Sequence, residues 1–158
     1  MQDRSIADLL RPSLGHAAPA RVPFSNQAGF LVAFSGGAPA ALAMGTINAV
    51  RMRRLPRDLA WLLPLLAAWL GIEAWLQATG AGRTFVHWLQ AEAGRDAPNM
   101  LRHAMGLAVM GISSLMHRRE RRAAQLMGQP APNGTLLGVL LILAGWGVSL
   151  AIRNTFAP

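Results

Sequence analysis

The chain has no cysteine, no tyrosine and no lysine, and only seven acidic residues among 158. Without cysteine there is no disulfide, no thiol nucleophile and no thiolate metal site. Without tyrosine, a common catalytic acid is missing. Charged residues amount to 14%, where a soluble domain carries about 25%. Arginine without lysine, beside abundant alanine and glycine, points to a GC-rich bacterial coding sequence. What is plentiful is apolar: 53% hydrophobic residues, with Leu, Ala and Gly in long runs. That excludes a disordered chain. It predicts an all-α membrane protein, one domain by length.

The formal charge of +8 comes from fifteen arginines. They stand mainly in short loops beside apolar runs, as the positive-inside bias places them. A nucleic-acid surface would interleave aromatics with the basic residues, and neither arginine cluster does so. The expected partners are therefore membrane lipids and other membrane subunits, or a second copy of the chain, with no nucleic acid.

Four spans are predicted, forming a four-transmembrane-helix bundle over 28–152. A tail or interfacial helix over 1–27 precedes it and a short tail over 153–158 follows. The first span, 28–50, has 23 residues without a charge, enough for a hydrocarbon core of about 30 Å. The others are 59–80, 99–117 and 134–152. The third is short of apolar residues, since its uncharged run is only Ala104–Met116; including it as a span puts both arginine-dense loops on one side. No cleavable signal is visible before the first span. Ile6, Leu9, Leu10 and Leu14 share a face if 1–20 is helical, which fits an interfacial helix as well as a loose terminus. Thr84–Ala93 reads as a short amphipathic helix between the second and third spans.

Within the first span, Ala33, Gly37, Ala41 and Gly45 recur at every fourth position. Small residues at that spacing allow close helix approach in lipid, where the hydrophobic drive between helices is weak. Gly134 and Gly138 repeat the pattern in the last span. Gly36, Gly37 and Pro39 interrupt the first helix, because proline cannot donate to the carbonyl four residues back. Two readings stand: a packed kink in which Ser35 fills the freed hydrogen bond, or a broken helix lining a site. Ser25 or Asn26 caps the first helix, Asp58 the second and Asn133 the last. Asn48, near the end of the first span, reaches the headgroups.

Glu73 is a carboxylate well inside an apolar span. An acid at such depth marks a proton or ion site by default; pairing with Arg83 or snorkelling is the structural alternative. Glu73 and His103 are the candidate ion or proton site, both near the predicted outer surface. Arg51, Arg53, Arg54, Arg118, Arg119, Arg121 and Arg122 are topology signals and headgroup contacts, placing loops 51–58 and 117–133 in the cytoplasm of a bacterial inner membrane and both termini outside. The two halves of that tally are nearly level, eight arginines against seven.

No catalytic residue, metal site or cofactor is expected. Ser113 and His117 are spaced i, i+4, but no acid near His117 in sequence orients the ring, as serine catalysis requires. No HExxH spacing, Walker loop or GxGxxG is present.

Gln27, Ala33-Phe34, Gly36-Gly37, Ala40, Asn48 and Arg54-Leu55 together form a pattern that resembles small uncharacterised bacterial polytopic membrane proteins with a Gly-Gly-Pro-containing first span. In this chain the proline is one place late, at Pro39, and the Asn–Arg spacing is altered. The resemblance covers about thirty residues and implies topology alone. The leading expectation is a non-enzymatic accessory or structural subunit of a membrane complex, or a homo-oligomer. The alternative is a small channel, transporter or membrane-permeabilising effector.

Overall fold

A computed structural model describes residues 21–156. The interfacial helix expected over 1–20 and the last two residues of the tail lie outside them. Six helices follow in order: α1 Asn26–Arg51, α2 Leu55–Ala78, α3 Gly80–Ala93, α4 Ala97–Met116, α5 Arg118–Leu126 and α6 Thr135–Phe156. No strand occurs among the described residues. Three helical stretches are long and apolar enough to cross a membrane: Asn26–Arg51, Leu55–Ala78 and Thr135–Thr155.

The first of these does not run straight. An unbroken helix of 26 residues would hold its ends about 39 Å apart at ~1.5 Å per residue. Instead the Phe24 amide donates to Asn48 Oδ1 at 2.9 Å. Arg51 donates through Nε and Nη2 to the Val22 carbonyl and lies over the Phe24 ring. The chain entering α1 therefore meets the chain leaving it. The reversal is at Gly37, the one residue of α1 with non-helical torsions (φ 69°, ψ −163°). That region belongs almost wholly to glycine. α1 is thus a helical hairpin, with an entering limb (26–36) and a returning limb (38–51). The kinked or broken first span expected over 28–50 is, in the structure, a full reversal. Both readings of the Gly-Gly-x-Pro motif contained part of the outcome, a break and a freed carbonyl. Pro39 leaves the Ser35 carbonyl without its helical donor, and the Trp146 indole of α6 supplies one at 2.6 Å.

α4 runs along both limbs. Gly106 packs so closely on the Ala33 carbonyl and the Gly37 backbone that a Cβ there would overlap both. Gly29 faces Met110 and Gly45 faces Ser113. α6 covers the other side: Gly134 sits on Phe24 and Ala28, Gly138 on Val32, and Gly145 on the Gly36 carbonyl and Ala40. α2 packs on the returning limb, with Leu62 against Gly45. Ala33, Gly37, Ala41, Gly45 and Gly138 are all buried in these contacts. The small residues pack within the chain, and the fourfold stripe serves α4 from both limbs.

Two ends follow from this arrangement. One holds 21–26, 48–58 and 117–134; the other holds 78–99 and the end of α6. The core between them is alanine, glycine and a few polar groups: Asn48, Asp58, Glu73, Ser113 and His117 are all under 9% exposed. The outside is leucine-rich, with Leu136 76% and Leu115 68% exposed. An apolar exterior around a partly polar interior is what lipid selects, because lipid does not drive leucine inward. Asn48, expected among headgroups, is instead buried and ties the two limbs together at their base.

Candidate functional site

Three buried or half-buried polar centres interrupt the apolar bundle. The first is at the end away from the arginine-dense loops. Glu73 is on the stripe of α2 that also buries Leu62, Trp69 and Leu76, so helical periodicity alone turns it inward. It is 4% exposed. Arg102 of α4 meets it side-on: Nε to Oε1 is 2.8 Å and Nη2 to Oε2 is 3.2 Å. Gln77, one turn along α2, donates to Oε2 at 3.0 Å. This two-point pairing fixes orientation as well as charge. Arg83, the partner considered from sequence, lies elsewhere in the same region. His103 points about 100° round α4 from Arg102 and stacks on Phe34 with centroids 5.4 Å apart. The structure does not bring Glu73 and His103 together. Arg102 and His103 were expected to reach outward; both are half-buried.

Above Glu73 a cleft of about 470 Å³ opens between α2, α3, α4 and α6. Its walls carry Arg83, Arg95, Arg102 and Arg153, with His87, Gln77, Gln90 and Asn99. Asn99 Oδ1 accepts from Arg153 at 3.3 Å. α3 forms the outer wall because it folds back on α2. Thr79 caps it, its Oγ1 accepting from the Gly82 amide at 2.9 Å. Gly82 lies against the Trp75 carbonyl where any side chain would overlap. Trp75, Phe85 and Trp88 form an aromatic row with successive centroids 5.9 and 5.8 Å apart. Four guanidiniums therefore face one opening. The carboxylate beneath them is already bridged by Arg102. Arg102 also touches the hairpin's turn, since its backbone carbonyl lies beside Gly37.

The second centre is at the arginine-dense end. Asp58, expected to cap α2, is one turn inside that helix and 1% exposed. Its Oδ2 is 2.8 Å from Nε2 of His117, which is fully buried between α4 and α5. Trp61 meets the imidazole edge-on at 5.8 Å. Burial lowers the His117 pKa below its ordinary value; Asp58 opposes this, while Arg121 and Arg54 add to it. A neutral ring with its proton on Nε2 fits the contacts. Nε2–H donates to the carboxylate, and Nδ1, which has no partner among the described residues, carries only a lone pair. The acid missing near His117 in the sequence is thus supplied across 59 positions. Ser113 makes no bond to the ring, so the three residues do not form a proton relay. Arg54 reaches both Asp58 and Glu120.

The third centre is formed by α5 and the segment leading into α1. Arg121 donates to the Phe24 carbonyl and to Asn26 Oδ1, and burial lowers its pKa from the ordinary arginine value. Of the seven arginines singled out from sequence, Arg51, Arg54 and Arg121 are engaged in these contacts. Arg53, Arg118, Arg119 and Arg122 are exposed.

Sequence reasoning overlooked Arg102 as the partner of Glu73, although a signal existed. Glu73 lies five residues before the end of α2 and Arg102 five residues after the start of α4, so two helices running in opposite directions bring them to one depth. Asp58–His117 had a weaker signal: an acid and a histidine each stand in an arginine-dense loop, and both loops were placed on one side. Among the described residues no three metal-ligating side chains converge. Comparison with protein-family models, curated proteins and solved structures yields no match.

Proposed function

We propose that the chain is a non-enzymatic multi-pass protein of a bacterial inner membrane that binds a small anion at the face opposite its arginine-dense end. In this reading α2, α4 and α6 cross the bilayer, and α1 enters from the arginine-dense side and returns to it. α4 is poorer in apolar residues than the other two, but it runs from His117 at one end to Asn99 at the other. Its polar groups Arg102 and Ser113 face protein. Broken helices at membrane depth are tolerated where protein covers them, as α4 and α6 cover the turn at Gly37.

The arginine-dense end is cytoplasmic. With α1 doubled back, Arg21, Arg51, Arg53, Arg54, Arg57, Arg118, Arg119, Arg121 and Arg122 share one end, against Arg83, Arg95, Arg102 and Arg153 at the other. Nine against four is a clear positive-inside bias; the same thirteen arginines counted on a singly crossing first span give eight against five. It also places the segment before α1 at the cytoplasmic end and the end of α6 at the outer one.

The observation that carries the anion site is the convergence of Arg83, Arg95 and Arg153 on one cleft whose buried carboxylate, Glu73, is already paired with Arg102. Arginine forks suit phosphate, sulfate and carboxylate. The association role expected from sequence loses its original motive, because the residues that suggested it are packed inside the chain.

The test is binding to protein purified in a neutral detergent. Phosphate, sulfate and succinate are titrated while the unfolding temperature is followed. At least one is expected to raise it saturably, since a ligand at 100 times its Kd stabilises by about 2.7 kcal/mol. Arg83→Gln/Arg95→Gln is expected to weaken that binding at least tenfold and leave the unliganded unfolding temperature within a few degrees, both side chains being exposed. Failure of all three anions to bind, or equal binding by the double variant, contradicts the site.

A further inference from the structure

At the arginine-dense end, a basic pocket of about 400 Å³ runs into an apolar groove of about 390 Å³, and Ser25 and Ala131 border both. The pocket is walled by α5 and the segment leading into α1. Arg118, Arg121, Arg122 and Gln125 line it; their i, i+3, i+4, i+7 spacing puts them on one helix face. Among the described residues no carboxylate lines it, since Glu120 turns away to Arg54. Arg121 is held in place by the Phe24 carbonyl and Asn26. Its Nε is buried with no partner among the described residues. The groove lies between the entering limb of α1 and α6. Leu31, Val32, Val139 and Ile142 form its walls and Gly138 its floor. From Gly134 to Ile142 it descends about 12 Å along the helix axis.

We propose that this continuous surface binds one anionic phospholipid, its phosphate on Arg118, Arg121 and Arg122 and an acyl chain in the groove between α1 and α6. The inference rests on the membrane reading above, not on the outer anion cleft. Charge complementarity selects the head: three guanidiniums with no acid among them call for a phosphodiester, and Arg121 Nε has an unmet donor. Continuity selects a lipid over a free anion, because the apolar groove starts where the basic pocket ends and runs toward the membrane interior. In this cluster Arg118 and Arg122 are exposed and line the pocket. Arg51 and Arg54 are engaged within the chain, on Val22 and on Asp58 and Glu120.

The experiment is native mass spectrometry of the full chain in neutral detergent, with thermal unfolding in parallel. Dioleoyl phosphatidylglycerol is expected to bind one per chain and to raise the unfolding temperature. Dioleoyl phosphatidylcholine is expected to bind at least tenfold more weakly. Dihexanoyl phosphatidylglycerol, which has the head but a chain too short to fill the groove, is expected to be weaker than the dioleoyl lipid. Inorganic phosphate is not expected to displace it at equal concentration. Arg118→Gln/Arg122→Gln changes two exposed side chains and is expected to lower phosphatidylglycerol affinity at least tenfold, whereas Arg83→Gln/Arg95→Gln leaves it unchanged. Equal binding of the two dioleoyl lipids, full displacement by phosphate, or no effect of Arg118→Gln/Arg122→Gln each overturns the proposal.

Discussion

Asp58→Ala is expected to lower stability by about 3–5 kcal/mol, the cost of removing one member of a buried pair. The carboxylate is 1% exposed and His117 is fully buried, so water cannot replace the lost acceptor. The substitution strands the His117 Nε2–H and leaves Arg54 without one of its two carboxylates. It also frees the joint between α4 and α5, which sets where Arg121 holds the base of the hairpin. Thermal unfolding in detergent measures the loss. Glu120→Ala is the comparison: it removes a partly exposed pair and is expected to cost less than about 1 kcal/mol. A cost for Asp58→Ala as small as that would mean the pair contributes little.

The same pair gives a pH dependence of definite sign. Folding lowers the pKa of His117, so the unfolded chain binds a proton that the folded chain refuses. Stability then rises with pH wherever the unfolded state binds more protons. The contribution of His117 is complete above its ordinary value of about 6.5 and is lost progressively as pH falls below it. The unfolding temperature is expected to fall between pH 7.5 and 5.5. His117→Gln is expected to flatten that slope while lowering stability throughout. An unchanged slope in His117→Gln would assign the dependence to another group.

Gly37→Val is expected to abolish the native arrangement of α1. At φ 69° and ψ −163° a residue with a side chain pays a torsional penalty of about 1–3 kcal/mol, and β-branching adds to it. The penalty is torsional because there is room: a Cβ at Gly37 would have nothing nearer than 3.8 Å. Gly106 and Gly145 are the reverse case, limited by contact with the hairpin backbone rather than by torsion. A chain unable to turn at Gly37 has an alternative that removes the strain, which is to straighten α1 into a single span. Gly37→Val should therefore show a changed or mixed topology for the segment before α1, beyond any loss of stability. A variant with native topology and an unfolding temperature within a few degrees of the parent would show that the turn does not depend on glycine.

Much of the secondary structure was legible. α2, α4 and α6 begin and end within about four residues of the expected bounds, because their apolar runs stop at Arg, Pro and Asn. Ser25 and Asn133 act as the expected caps, Ser25 Oγ accepting from Ala28 and Asn133 Oδ1 from Thr135. α3 was found through its amphipathic pattern, though it starts four residues earlier, where the Thr79 cap sets it. The reversal of α1 was not legible. Length and hydropathy are blind to a single torsion, and Gly-Gly-x-Pro also suits a shallow kink. Only long-range pairs, Phe24 with Asn48 and Val22 with Arg51, distinguish a hairpin from a span. The stripe at Ala33, Gly37, Ala41 and Gly45 was read as a helix-packing contact, with its partner helix left open. In the hairpin that partner is α4 of the same chain. Polar pairing failed for a related reason: Glu73 was matched to Arg83, nearer in sequence, while the long Arg102 side chain reaches it from α4.

The absence of cysteine makes the central claim directly measurable. Single cysteines are placed at the exposed positions Gln27, Arg53 and Arg95, and sealed vesicles of known orientation are treated with a membrane-impermeant maleimide. A re-entrant α1 requires Gln27→Cys and Arg53→Cys to label from the same side and Arg95→Cys from the other. Labelling of Gln27→Cys together with Arg95→Cys, and opposite to Arg53→Cys, would mean that α1 crosses the membrane once and does not turn back at Gly37.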